Sequence, residues 1–251
     1  MAAIVSVHSF RGGTGKSNTT ANLAAILAGS GRRVGVIDTD IQSPGIHVIL
    51  GLQGDEVTGS LNDFLWHGKA IADVAQDVTE RVGPGIPGRI FLIPSSMEPG
   101  EITKVLREGY DAQRLTRGLR ELVDVLNLDI LLIDTHPGLN EETLLSLVIS
   151  SALIVVMRPD RQDYEGTGIT IRVARELEVP EVLLVVNKTP LELDVNAVAE
   201  RVAGIYETEV VAVLPHSDEM MSLASEGVFA VRYPDHPITA HYRTIADRIS
   251  A

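Results

Sequence analysis

The chain has 251 residues, 45% of them apolar, with 34 acidic residues against 21 Lys and Arg, a net charge of −13 and no cysteine. That size suits one α/β domain with a large core, or at most two small ones. The charge excludes a strong general attraction to nucleic acid or anionic lipid and leaves only a local basic patch, while the missing thiols exclude disulfides, thiolate metal sites and cysteine nucleophiles. Residues 2–7 are apolar, but Arg11 and the glycines interrupt them too early for a signal peptide. No run approaches the roughly 18 apolar residues of a membrane span, and the expected compartment is the cytoplasm.

Ala3-Ile4-Val5-Ser6-Val7-His8 reads as a buried strand. Ser9 to Ser17 follow as a glycine-rich turn, and a helix runs from about Ser17 to Gly29, with Gly31 as its stop. A glycine-rich turn between strand and helix is a phosphate cradle. The amides around Gly12, Gly13, Thr14, Gly15, Lys16, Ser17 and Asn18 converge, and the helix start adds its positive dipole end. Lys16 reaches the β- and γ-phosphates, and the Ser17 hydroxyl ligates Mg²⁺. The common form G-x-x-x-x-G-K-[ST] fails at its first position, which is Phe10. The remaining x-R-G-G-x-G-K-S resembles the deviant Walker A motif of the MinD/ParA family, with Arg11 where that family has its signature lysine. The dinucleotide fingerprint G-x-G-x-x-G is absent.

The second strand is Arg33 to Asp38, and Thr39-Asp40-Ile41 follows. The resemblance implies that Asp38 lies near the outer shell of the metal and that Asp40 faces the γ-phosphate and orients the attacking water. The alternative is that both carboxylates merely cap a turn. Residues 52–88 are the least informative. Leu61 to Trp66 and Ile71 to Val78 read as short helices, with Phe64 and Trp66 assigned to the core. Ile90 to Pro94 reads as a strand, Glu101 to Glu108 as a helix, and Ala112 to Leu126 as a helix with an apolar stripe at Leu115, Leu119, Leu122, Val123 and Leu126.

Asp129 to Asp134 is an apolar strand ending in a carboxylate, the Walker B pattern, and Asp134 is assigned to Mg²⁺. In Thr135-His136-Pro137-Gly138 the resemblance places a second switch, whose Gly138 amide senses the γ-phosphate; His136 is read as an ordinary loop histidine. A helix over Glu141 to Ser150 takes Asn140 as its cap. Then come a strand (Ala152 to Met157), a helix (Gly166 to Leu177), a strand (Glu181 to Val186), a helix (Val195 to Tyr206) and a strand (Val210 to Val213). The resemblance points Asn187 at the adenine. Asn187-Lys188-Thr189 is similar to the guanine-reading N-K-x-D, but Pro190 stands where its carboxylate belongs. Leu214-Pro215 opens a loop over the base. Glu219 to Glu226 and Ile238 to Ile249 are the last helices. The stripe Ile238, Tyr242, Ile245, Ala246 and Ile249 is read as packing on the domain rather than anchoring in lipid, because its polar face lacks lysine.

The alternation predicts a single domain over residues 1–251, a doubly wound, mostly parallel sheet with helices on both faces. The resemblance implies a Mg²⁺-dependent ATPase that forms a homodimer in its ATP state, with slow turnover stimulated by a protein activator or cargo adaptor. Lys16, Asp40 and Arg11 carry the chemistry, Arg11 acting across the dimer, and the cargo is a protein, DNA or the division machinery. No membrane anchor is expected and nucleic-acid binding is weak at most. A metabolic enzyme of the amide- or lactam-forming type on the same fold is the alternative, as is a scaffold that binds nucleotide without hydrolysing it. Asp40 and Asp134 argue against the scaffold.

Overall fold

The computed structural model describes residues 2–250, the side chains of Val105 and Leu106 excepted. Eight strands form one sheet in the order β3-β4-β2-β5-β1-β6-β7-β8. They are β1 (Ala3–His8), β2 (Arg33–Asp38), β3 (Gln76–Asp77), β4 (Arg89–Ile93), β5 (Ile130–Asp134), β6 (Ala152–Met157), β7 (Val182–Thr189) and β8 (Glu209–Pro215). Every pairing is parallel except that of β3 with β4. The central strands carry continuous apolar runs because both faces are covered, and β5 and β6 are buried along their whole length.

Among the described residues the α-helices are α1 (Lys16–Gly29), α2 (Ile46–Ile49), α3 (Leu61–Trp66), α4 (Thr79–Val82), α5 (Pro99–Glu108), α6 (Ala112–Val125), α7 (Glu141–Ile149), α8 (Arg161–Glu176), α9 (Val195–Tyr206), α10 (Asp218–Leu223), α11 (Phe229–Arg232) and α12 (Pro237–Ser250). On one face α1 and α12 pack on the sheet, Ala21, Ala24, Ala25 and Ala28 allowing close approach. On the other face, α3 and α6 bury Phe64, Leu115, Leu119 and Leu122 beside the sheet's β2–β5 half. Trp66 packs at the edge of that cluster. The third cluster sits under α8 and α9. The apolar stripe of α12 is wholly internal: Ile238, Tyr242, Ile245, Ala246 and Ile249 are all buried. No helix among the described residues is long and apolar enough to cross a membrane.

Two expectations fail locally. Residues Ile71 to Val78 are not one helix: Ile71–Val74 is a single 3₁₀ turn and Gln76–Asp77 is the antiparallel edge strand. The apolar residues there do become buried, but two residues of strand are too few to show a period of two. Helix α8 begins at Arg161, not Gly166, because the Asp160 carboxylate accepts the Asp163 N–H at 3.0 Å and caps it. Gly166 lies inside the helix. A side chain there would collide with the ring of Phe10, which explains the glycine.

Candidate functional site

The chain order reverses around β1, whose neighbours are β5 and β6, and such reversals open a crevice at the carboxyl ends of the strands. Residues 9–15 fill that crevice and lead into α1. The Ser9 hydroxyl donates to the Arg11 carbonyl at 2.6 Å. Gly13 and Gly15 have φ of +78° and +104°, a region that side chains disfavour. Gly15 has a second constraint, since an added Cβ would overlap the Asn187 amide nitrogen. Lys16 and Thr14 are buried. A cavity of about 290 Å³ is lined by Gly13, Gly15, Lys16, Ser17, Asn18 and Lys188. Its lining includes residues that the sequence assigns to a phosphate cradle.

Three acidic residues converge beside it. The β2–β5 register sets Asp38 directly against Asp134. Both carboxylates are fully buried, and burial pushes both pKa values up, Asp134 to about 6. The negative charge of Asp134 pushes Asp38 up further, while Lys16 and the Ser17 and Thr20 hydroxyls act in the opposite direction on Asp134. Two buried, mutually repelling carboxylates with a hydroxyl alongside are hard oxygen donors of the kind a divalent cation such as Mg²⁺ takes, so the residues fit that ion. The two oxygens of Asp38 already accept backbone N–H groups of the following loop, from Asp40 at 2.9 Å and Gly45 at 3.2 Å. Asp38 thus shapes the loop that holds Asp40.

His136 has a partner that the sequence reading did not give it. Its Nδ1 lies 2.6 Å from Asp40 Oδ1, joining the loop after β2 to the loop after β5. The carboxylate accepts, so Nδ1 carries the proton. The Gly138 amide donates to the Ser9 carbonyl at 3.1 Å, so in this conformation it ties the second loop to the first residue of the cradle rather than pointing at a ligand. Behind them His8 is fully buried, and burial lowers its pKa to about 3. The Thr135 hydroxyl donates to the Val7 carbonyl and sits 2.8 Å from His8 Nδ1, which makes Nδ1 the protonated nitrogen of a neutral ring.

Arg11 folds back on its own chain, its guanidinium 3.4 Å from Asp160 and 3.3 Å from Asp163. Arg158 holds the same two carboxylates from the other side, at 3.0 and 3.3 Å. The cap of α8 is therefore shared between two arginines. On the far side of Gly15 a second cavity, about 250 Å³, runs between the ends of β7 and β8 and is lined by Asn18, Asn187, Pro215 and Ser225 among others. Asn187 is buried and pinned: its Nδ2 donates to the Thr14 carbonyl at 2.8 Å and its Oδ1 accepts the Lys188 N–H at 2.9 Å. Lys188 Nζ donates to the Gly13 carbonyl at 2.8 Å. The sequence marked Asn187 but not Lys188, whose backbone has a left-handed φ of +56°.

A family model described as a NUBPL iron-transfer P-loop NTPase, of the ParA group, matches residues 1–250. An uncharacterized ATP-binding protein of Methanocaldococcus jannaschii is 30% identical over 253 residues, which cover 99% of this chain and 88% of that protein. An iron-sulfur cluster carrier protein of Pyrococcus abyssi is 27% identical over 259 residues, 98% of this chain and 84% of the relative. Among solved structures, the septum site-determining protein MinD complexed with Mg-ADP, from Pyrococcus horikoshii, superposes with a TM-score of 0.81 at 22% identity, covering 99% of this chain and 96% of the other. A likeness at that identity concerns the fold.

Proposed function

Because the chain belongs to the ParA family of P-loop NTPases, we propose that it is an ATP-driven switch. ATP lies with its phosphates on Gly12 to Asn18 and its base in the cavity beside Asn187 and Pro215. Lys16 pairs with the β- and γ-phosphates. Ser17 and Asp134 hold Mg²⁺, with Asp38 behind them. When bound, the ion neutralises charge that develops on the phosphoryl oxygens. Asp40 positions the attacking water, and turnover is slow until a protein activator or cargo adaptor engages. Two ATP-bound copies form a homodimer across the nucleotides, in which Arg11 leaves Asp160 and Asp163 and reaches the partner's phosphates. Phosphate loss releases the loops after β2 and β5 and dissolves the dimer. The work done is the positioning of a protein, DNA or division cargo.

The observation that carries this reading is the convergence of a buried lysine, a hydroxyl and three carboxylates on one left-handed glycine turn. Iron-sulfur carriage does not transfer with the family. Such clusters are held by cysteine thiolates, and this chain has no cysteine. The test is phosphate release from ATP with and without Mg²⁺, for the parent and Lys16→Ala. Magnesium-dependent release that the variant lacks supports the reading, and equal release by both refutes it.

A further inference from the structure

Near the end of β7 two neighbouring side chains turn to the same place. In a regular strand, consecutive side chains point to opposite faces. Asn187 and Lys188 instead both reach the glycine turn before α1. The strand is irregular there. Val186 pairs with Val213 and Thr189 with Pro215, so Asn187 and Lys188 stand against Leu214 alone. This is a bulge, a feature that re-aims side chains beside functional sites.

Both side chains bind carbonyls of the turn. Lys188 Nζ donates to the Gly13 carbonyl at 2.8 Å, and Asn187 Nδ2 donates to the Thr14 carbonyl at 2.8 Å. Asn187 Oδ1 accepts the Lys188 N–H at 2.9 Å, which fixes the orientation of the amide. Gly15 leaves room for it, since a side chain there would overlap Asn187 Nδ2. The two carbonyls belong to consecutive peptide groups, whose other ends are the N–H groups of Thr14 and Gly15. In a trans peptide the carbonyl and the N–H point in opposite directions. These two N–H groups therefore face away from Asn187 and Lys188. Among the described residues no backbone carbonyl accepts either of them. A donor bound to the carbonyl of a peptide also polarises its N–H and makes it a stronger donor.

We propose that Asn187 and Lys188 are positioning residues of the phosphate cradle rather than readers of the base. They hold two successive peptides with their N–H groups turned to the phosphates, and they polarise both. The inference rests on the ATP reading for where the phosphates lie. It reassigns Asn187, which the resemblance points at the adenine, because both polar atoms of its amide are already engaged within the protein.

The test is calorimetric titration of the full chain, in Mg²⁺, with ATP and with inorganic tripolyphosphate, which has no base. Asn187→Ala weakens both ligands by about threefold to tenfold and Lys188→Met weakens both by about tenfold or more, as expected for loss of a neutral and of a charged hydrogen bond. In each variant the ratio of the two affinities stays within about twofold of that of the parent. Asn187 is neutral, so its effect does not come from charge attraction to the phosphates. Lys188 is exposed, so its replacement leaves the core intact and keeps the test readable should Asn187→Ala fail to fold. In the nucleotide-free protein, Lys188→Met moves the amide ¹⁵N resonance of Thr14, and an unmoved resonance overturns the proposal. Variants that weaken ATP while tripolyphosphate binds as it does to the parent overturn it and leave the ATP reading standing. Unchanged binding of both ligands, or a parent that binds ATP but not tripolyphosphate, does the same. A parent that binds neither refutes the ATP reading and the proposal with it.

Discussion

Replacing Gly15 by Ala separates two costs that the cradle imposes on one residue. The first is conformational. Gly15 has φ of +104° and ψ of 23° as the residue before α1, and a side chain held in such a region costs about 1–3 kcal/mol. The second is steric and specific. The new methyl overlaps Nδ2 of the buried Asn187, whose Nδ2 donates to the Thr14 carbonyl and whose Oδ1 accepts the Lys188 N–H. Displacing Asn187 breaks its 2.8 Å bond to Thr14 and strands a buried amide, at a further ~1–3 kcal/mol. The unfolded chain returns about 0.4–1 kcal/mol because Ala is less flexible than Gly. The sum is a loss of about 1–5.5 kcal/mol, which for a chain of this length lowers Tm by about 2–22 °C. Gly13→Ala is the control, since Gly13 has φ of +78° and nothing within 4 Å of its added Cβ; only the first cost applies. Urea unfolding of the nucleotide-free protein, followed by circular dichroism, measures both. Gly15→Ala combined with Asn187→Ala should recover part of the loss, since the clashing atom is gone. Equal destabilisation by the two alanines, or strict additivity in the double variant, refutes the reasoning.

Lys16→Ala weakens ATP about 100-fold or more by calorimetry, through loss of the charged contacts to the phosphates, and unchanged affinity sinks the cradle assignment. Asp40→Ala slows hydrolysis about 100-fold while leaving ATP affinity nearly unchanged, because positioning acts on the chemical step. His136→Ala shows the same split more weakly, and His136→Asn, whose amide replaces the Nδ1 donor, restores turnover; an Asn variant as slow as Ala contradicts the Asp40 contact as the reason. Mixing Arg11→Ala with Lys16→Ala subunits recovers activity if Arg11 acts across a dimer, and no recovery with proven heterodimers places its role within the chain, at Asp160 and Asp163. His8 adds a pH term. Its folded pKa of about 3 lies below the ordinary 6.5, so the unfolded chain binds the proton first. Its contribution to stability is full above pH 6.5 and is lost as pH falls toward 3, at about 1.4 kcal/mol per pH unit. The stability difference between the parent and His8→Leu, measured by urea unfolding from pH 7 to pH 4, shrinks at that slope on acidification. A constant difference contradicts a buried neutral histidine.

The parts of the site that follow from local chemistry were legible in the sequence. The strand, glycine turn and helix around Gly13 and Lys16, and the strand-end carboxylates Asp38 and Asp134, lie where their neighbours in sequence put them. So does the Asn140 cap, which accepts the Thr143 N–H at 2.9 Å. The parts made by contacts between distant segments were not legible. The pairing of His136 with Asp40 spans 96 positions. Arg11 meets Asp160 and Asp163 through a helix cap that Gly166 concealed, because a mid-helix glycine reads as a helix start unless Phe10 is known to lie on it. Within residues 52–88, Ile71 and Val74 are buried on a single 3₁₀ turn that leads into a two-residue edge strand, elements too short to impose a period.

The central claim is that ATP, and not ADP, joins two copies of this chain. Light scattering of the full chain with Mg²⁺ and saturating ADP, ATP or a non-hydrolysable ATP analogue measures it directly. The account predicts the mass of one chain in ADP and twice that mass in the analogue. With ATP it predicts the larger mass decaying to the smaller as hydrolysis proceeds, and persisting in Asp40→Ala. One and the same mass in all three nucleotides, with binding of each confirmed by calorimetry, contradicts it.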